Sequence, residues 1–190
     1  ASCVAGQEQT SAPTLSSDRV CAPCGDGYFK AAAGSDACTS WRRCPVGEGE
    51  TTPGSATSDR VCAACAAGTT FSDTNDGAAC TPVSAVCAIG EYRSAAPTVS
   101  SDRVCTACAS GQFKATAGNG DCASWSTCAA GYGLSTAGTT YSDRQCTECT
   151  TGVSFSSVND GSVCSAVSAP CAAGNYLSIA ATTSSDRECM

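Results

Sequence analysis

The sequence predicts a small disulfide-rich fold, an elongated tandem array of cysteine-rich modules with short β-ladders, little helix and no large hydrophobic core. Three observations lead there. Cysteine is abundant, at 18 of 190 residues, well above ordinary usage. Those cysteines recur at a fixed period. The chain is 42% hydrophobic, yet it holds only two Trp, four Phe and one Met, and much of the apolar fraction is Ala and Cys. Crosslinks must therefore replace a core.

An even, regularly spaced set of cysteines reads as a disulfide framework. That places the chain in an oxidising compartment, extracellular or at the cell surface. The net charge is -7, which argues against nucleic acid as a partner, since that requires Lys/Arg clusters. No apolar run is long enough to span a bilayer. No signal peptide opens the sequence, so the expectation is a mature chain or a fragment of one.

Fixed-period self-similarity decides the architecture. Cys3, Cys21, Cys24, Cys38, Cys44, Cys62, Cys65 and Cys80 recur 84 positions later as Cys87, Cys105, Cys108, Cys122, Cys128, Cys146, Cys149 and Cys164. Cys171 and Cys189 open a third copy. Each unit has two related halves, giving boundaries at 1–43, 44–86, 87–127 and 128–170, with 171–190 the start of a truncated third unit. Each half has a long loop followed by a shorter one. Every long loop has Gly three places after its first Cys and Ser-Asp-Arg shortly before its last. The shorter loops also begin Cys-x-x-Gly and carry a Phe beyond that Gly, two places on for Phe29 and Phe113 and three for Phe71 and Phe155. Both ends of the sequence fall inside the repeat, so a window of a longer array is expected.

The simplest pairing joins consecutive cysteines: Cys3–Cys21, Cys24–Cys38, Cys44–Cys62, Cys65–Cys80, Cys87–Cys105, Cys108–Cys122, Cys128–Cys146, Cys149–Cys164 and Cys171–Cys189. Each closed loop would stabilise by about 3 kcal/mol, mainly by restricting the unfolded chain. Sequence alone leaves the connectivity open, although recurrence favours a pairing that repeats by module. Ala-rich pieces such as Lys30–Gly34 are too short for a stable helix. The Thr- and Val-containing runs before each Ser-Asp-Arg, such as "APTLSSDRVC", suit short extended ladders. Asn-Asp-Gly at 75–77 and 159–161 signals a tight turn. Small modules that touch only their neighbours make a quasi-one-dimensional rod.

The stretch "CGDGYFKAAAGSDACTSWRRC" (Cys24 to Cys44) resembles the cysteine-rich repeats of the tumour necrosis factor receptor superfamily. The matching pattern is Cys-x-x-Gly-x-aromatic, then Cys-x-x-Trp-x-x-Cys, then a long loop closing on Asp-Arg-x-Cys. In that family's terms the long loop resembles the one-disulfide A type and the short loop a one-disulfide B type. The resemblance implies an elongated ladder of disulfides with consecutive pairing. Similar repeats occur in extracellular proteins of single-celled eukaryotes. The chain departs from the receptor pattern in its rigid spacing and in loops made of Ala, Ser, Thr and Gly.

Cys-x-x-Cys occurs four times, but no histidine is present to complete zinc sites, and no thioredoxin-like context supports a redox role. The two cysteines are better assigned to neighbouring bridges. Asp73-Thr74-Asn75-Asp76-Gly77 is similar to a calcium loop, but its Gly stands one place early. A turn is the better reading, and neither metal nor cofactor is expected. Catalysis finds no support: histidine is absent, and no nucleophile motif or paired carboxylates appear.

Ser-Asp-Arg is expected to be structural. Its Ser and Asp fix the turn into the cysteine, and its Arg pairs with a carboxylate or lies on an aromatic face. Tyr28/Phe29, Phe71, Phe113 and Phe155 are the candidate faces. Trp41 and Trp125 are expected to be local packing centres. No Asn-x-Ser/Thr sequon exists. Six of seven prolines follow Ala or Thr, a context that resembles sites of hydroxylation and O-glycosylation in walled algae and plants. O-glycan candidates are Pro13, Pro53, Pro97, Thr51, Thr52, Thr139, Thr140, Thr182 and Thr183.

The function expected from these features is structural: a rigid, disulfide-laddered, O-glycosylated rod in an extracellular filament, appendage or coat. Its partners would be copies of itself. The alternative is a receptor-like or adhesive ectodomain that binds a protein ligand. Scarce aromatic and Arg anchors count against the alternative.

Overall fold

A computed structural model describes residues 2–190. No helix occurs among them, and every sheet has two strands. The chain is a small disulfide-rich array of tandem modules. It divides into two compact units. The first runs to Ala85 and includes Ala95–Val104, and the second comprises Val86–Ser94 and Cys105–Met190.

Nine disulfides are present: Cys3–Cys21, Cys24–Cys38, Cys44–Cys62, Cys65–Cys80, Cys87–Cys105, Cys108–Cys122, Cys128–Cys146, Cys149–Cys164 and Cys171–Cys189. No cysteine is free among the described residues. The bridges form the interior. The buried apolar side chains are all cysteines, with Cys3, Cys44, Cys87 and Cys128 each 1% exposed. Val, Leu, Ile and Tyr side chains lie largely at the surface.

Each long loop folds into an antiparallel pair. These pairs are β1 (Gln7–Ser11) with β2 (Val20–Pro23), β5 (Glu48–Thr52) with β6 (Val61–Ala64), β9 (Glu91–Ala95) with β10 (Val104–Ala107), β13 (Tyr132–Thr136) with β14 (Gln145–Glu148), and β17 (Leu177–Ile179) with β18 (Glu188–Cys189). Each shorter loop closes on a two-residue pair, such as Tyr28–Phe29 with Thr39–Ser40. The Cys-x-x-Gly motif sets the entry to every loop. All nine of its glycines have φ between 75° and 95°, a region costly for any residue with a Cβ.

The run before each Ser-Asp-Arg is not extended, contrary to the sequence reading. β1 ends at Ser11 and β2 begins at Val20, and between them Thr14 N donates to Ser17 O at 2.8 Å. The Thr14 hydroxyl also accepts from the Ser16 and Ser17 amides. This local capture competes with a ladder and wins. The strands lie to either side of the turn. Asn-Asp-Gly at 75–77 forms a bend, with Asp76 Oδ1 accepting from Ala78 N at 2.8 Å and the Asp76 backbone bridged to Cys44.

Successive loops are coupled by a repeated pair of backbone hydrogen bonds. Gly6 N donates to Lys30 O, and Lys30 N donates to Ala56 O, both at 2.9 Å. The same pair runs through Gly47, Ser72 and Val99, through Gly90, Lys114 and Thr140, and through Gly131, Ser156 and Thr183. The last residue of each series sits at the tip of the following long loop's turn. Ser72 N reaching Val99 O explains why Ala95–Val104 belongs with the first unit. The central residues Lys30, Ser72, Lys114 and Ser156 are buried, each 8% exposed or less. Lys30 Nζ is satisfied by the carbonyls of Gln7 (3.0 Å) and Gly34 (2.5 Å), and Lys114 Nζ by those of Glu91 and Gly118.

Candidate functional site

Each residue of Ser-Asp-Arg has its own structural task. The serine hydroxyl meets a hydroxyl three residues earlier, as in Ser17–Thr14, Ser58–Ser55, Ser101–Thr98 and Ser142–Thr139 at 2.7 Å and Ser185–Thr182 at 2.8 Å. The aspartate accepts from the next amide and from a residue just ahead of the same long loop. Asp59 takes Arg42 N (2.8 Å), Asp102 takes Ser84 N (3.0 Å), Asp143 takes Ser126 N (2.8 Å) and Asp186 takes Ser168 N (2.9 Å). The hydroxyls of Ser84, Ser126 and Ser168 also donate to these aspartates.

Those serine hydroxyls are the largest cause holding the carboxyls of Asp102, Asp143 and Asp186 below their ordinary value. The stabilisation is therefore complete above the unfolded value of 3.8 and is lost as pH falls through it toward the lower folded value. The staples are expected to hold across neutral pH and to loosen only in acid. In a carboxyl NMR titration, Asp102 should show a midpoint below 3.8, and Ser84→Ala should move it back toward 3.8. An unmoved midpoint in that variant would show that the serine does not set it.

The arginine finds an aromatic face, though not one of the Phe or Tyr faces named from sequence. Arg60 lies 5.4 Å from the Trp41 ring centroid and Arg144 lies 5.3 Å from that of Trp125. The partner precedes the triplet in sequence. Trp41 Nε1 donates to Ser55 O at 3.1 Å, and its ring covers Gly54, where a Cβ would come within 2.4 Å of it. The guanidinium also rests on Gly77, where a Cβ would stand 1.1 Å from Arg60 Nη1. Trp125, Gly138, Arg144 and Gly161 repeat the arrangement. Glu50 approaches Arg60 Nε at 3.5 Å. Arg60→Ala is expected to cost about 1 kcal/mol through the lost cation–π and packing contacts. Unchanged thermal stability with unchanged Trp41 emission would refute that role.

Around this stack the surface is concave. A recess of about 690 Å³ is lined by Gly27, Tyr28, Ser40, Trp41, Arg42, Arg43, Arg60, Asp76 and Gly77. All of these residues belong to the first unit. Tyr28 is 47% exposed, and Arg42 and Arg43 are exposed. Arg42 meets Glu48 only at 3.9 Å, and Arg43 Nη1 reaches Asn75 O at 3.4 Å. Asp76 is held below its ordinary value first by the Ala78 amide and then by the Thr74 hydroxyl, with Arg43 and Arg60 adding to the effect. Guanidinium forks beside aromatic rings suit carboxylate-bearing ligands. From the sequence, Trp41 is expected as a packing centre and Tyr28 as a face for an arginine, with no role assigned to Arg42 or Arg43. The usable signal was the replacement of Tyr28, Arg42 and Arg43 by Gln112, Ser126 and Thr127 in the second copy.

The glycan candidates divide. Pro13, Thr52 and Pro53 are exposed, and Pro97 is half-buried. Thr51 is also exposed, with its hydroxyl donating to Val61 O at 3.2 Å. The Thr139 and Thr182 hydroxyls are engaged in their turns. Thr140 and Thr183 sit against Gly90 and Gly131. No group of three or more His, Cys, Asp or Glu that could hold a metal occurs among the described residues. No helix there is long and apolar enough to cross a membrane.

Residues 24–62 match the TNFR/NGFR cysteine-rich region. No curated protein matches the chain in sequence. Among solved structures, a chain of the human RANKL/OPG complex is similar at 19% identity and a TM-score of 0.39, covering 100% of this chain and 88% of that one. A chain of the mouse RANKL–OPG complex is similar at 23% identity and a TM-score of 0.31, covering 64% of this chain and 88% of that one. The recess lies largely inside the matched stretch. Residues 24–62 are thus similar to a cysteine-rich region of the TNFR/NGFR kind, and their cysteine spacing recurs 84 positions later at Cys108, Cys122, Cys128 and Cys146.

Proposed function

We propose that the chain is part of an extracellular, non-enzymatic protein whose cysteine-rich modules bind a protein partner. One observation carries the reading. The two 84-residue copies share their disulfides, their Ser-Asp-Arg staples and their tryptophan stacks, yet the first alone adds Tyr28, Arg42 and Arg43 around the recess. A structural requirement common to both copies does not need these three residues. Together with Trp41 they supply the Tyr, Trp and Arg anchors that dominate interface energy, removing the objection drawn from composition.

A second reading is a rigid structural array in a filament, appendage or coat. It draws on the identical hydrogen-bond series that couples each module to the next, since a regular assembly presents the same surface at each step. O-glycans on Pro13, Thr52 and Pro53 are compatible with both readings and form part of the proposal. An intact mass equal to the bare 18.7 kDa chain in native material would remove them.

The test is biolayer interferometry of the chain against a panel of purified extracellular proteins, with electron microscopy of the same sample. Saturable binding of a panel member by dispersed particles is expected. Filaments repeating at one or two 84-residue units, with no panel member bound, would replace the first reading by the second.

A further inference from the structure

Seven cationic side chains are built into the modules. The arginines of the five Ser-Asp-Arg triplets, at 19, 60, 103, 144 and 187, are half-buried. Lys30 and Lys114 are buried against backbone carbonyls. Of the ten Lys and Arg in the chain, this leaves Arg42, Arg43 and Arg93 exposed. Two of these three are adjacent in sequence, and both line the recess beside Tyr28 and Trp41.

The local acids are partly committed elsewhere. Glu50 faces Arg60, and Asp76 is tied to the Ala78 amide. Asp59 is engaged by the Arg42 amide, and Glu48 stands near the Arg42 guanidinium at a distance and exposure where an ion pair contributes little and exchanges readily. The doublet is thus a pair of exposed, exchangeable guanidiniums on a chain of net charge -7.

We propose that the Tyr28–Trp41–Arg42–Arg43 recess is the docking site for an acidic segment of the protein partner, one in which Asp or Glu alternates with an aliphatic residue. The assignment rests on the partner-binding reading above and names the surface and chemistry it uses. Each guanidinium takes a carboxylate in a charge-assisted, fork-like pair. The Tyr28 ring and the open edge of Trp41 receive the intervening aliphatic side chain. The charge count selects this occupant over a sulfated glycan. A densely charged polyanion requires a broad basic stripe, whereas here two arginines are surrounded by Glu48, Glu50, Asp59 and Asp76. A short segment with one or two carboxylates matches the charge of the pair.

The repeat supplies its own controls. Arg42→Ser/Arg43→Thr installs the residues that the second copy carries on the same backbone as Ser126 and Thr127. Gln112→Tyr/Ser126→Arg/Thr127→Arg writes the site into the second copy. The probe is a fluorescein-labelled peptide of alternating leucine and glutamate, read by fluorescence anisotropy. A leucine–glutamine peptide serves as control and a heparin oligosaccharide as competitor. The wild type is expected to bind the glutamate peptide at one site, more weakly as salt rises. The Arg42→Ser/Arg43→Thr variant should bind about tenfold or more weakly, as expected for losing two charge-assisted pairs. The triple graft should raise the stoichiometry from one to two.

Four results would overturn the site: no binding by the wild type, equal binding by Arg42→Ser/Arg43→Thr, equal binding of the glutamine peptide, or preference for heparin over the peptide. The protein panel separates this from the broader reading. A panel member captured equally by wild type and by Arg42→Ser/Arg43→Thr leaves partner binding standing and removes this site. A wild type that captures no panel member removes partner binding itself, whatever the peptide does.

Discussion

The double variant Cys44→Ser/Cys62→Ser is expected to lose about 3 kcal/mol of local stability. That is the loop-closure contribution of a bridge across this separation, 18 residues in the chain. Cys44 is 1% exposed, and the interior of the module consists of such bridges, so no apolar cluster compensates. In an array where each module contacts mainly its neighbours, damage stays near its origin. Amide hydrogen exchange is the natural readout. The amides of Gly47 and Ser72, which carry the coupling through this module, should exchange about a hundredfold faster. Those of Gly131 and Ser156, which make the same bonds in the second unit, should keep their rates. Uniform acceleration would mean one cooperative fold rather than locally stabilised modules. No acceleration would mean that the bridge is dispensable.

Gly49→Ala is expected to cost about 2–3 kcal/mol, while Gly25→Ala costs almost nothing. A Cβ at Gly49 would stand 2.3 Å from Cys80 N and 2.7 Å from its sulfur. Both atoms belong to a residue anchored by the Cys65–Cys80 bridge, so the strand itself must shift, and overpacking of this kind is costly. At Gly25 a Cβ meets nothing within 4 Å and the backbone needs no left-handed conformation. The pair separates close approach from the general loss of a glycine, and thermal melts of the two variants decide it. Equal melting temperatures would show that β5 does not pack on Cys80 as described. Gly133 meets Cys164 in the same way, at 2.3 Å, and should respond alike.

Much of the fold was legible because its determinants are periodic. The Cys-x-x-Gly spacing marks nine of the ten positive-φ glycines among the described residues, all but Gly118, and a chain this poor in large apolar residues has only its cystines to bury. The run before Ser-Asp-Arg was misread because "PTLSS" has strand-like composition, while the Thr14 hydroxyl captures its own neighbouring amides. The arginine's aromatic partner was sought downstream because proximity in the next module was the only guide. The true pairing shows in a comparison across half-units. Trp41 and Trp125 are each followed by a glycine, Gly54 or Gly138, in the loop they cover. Where Val83 and Val167 stand instead, the corresponding residues are Pro97 and Ala181. Burial of Lys30 and Lys114 had no local signal at all, since it depends on carbonyls that only the folded loops bring together. The recess was obscured for a related reason. Its residues come from a short loop, the segment after it, the next long loop and the next short loop, and only the Arg42-Arg43 doublet looks unusual in one dimension.

The repeated framework and the single departure from it do different work in this account. Disulfides, staples and tryptophan stacks build each module, and the residues that break the repeat provide recognition. That division predicts a protein that associates with another partner rather than with itself. Sedimentation velocity of the unglycosylated chain over a wide concentration range tests it most directly. One species of 18.7 kDa is expected at every concentration. A concentration-dependent series of larger species, or filaments that sediment ahead of the chain, would contradict it and favour the structural array.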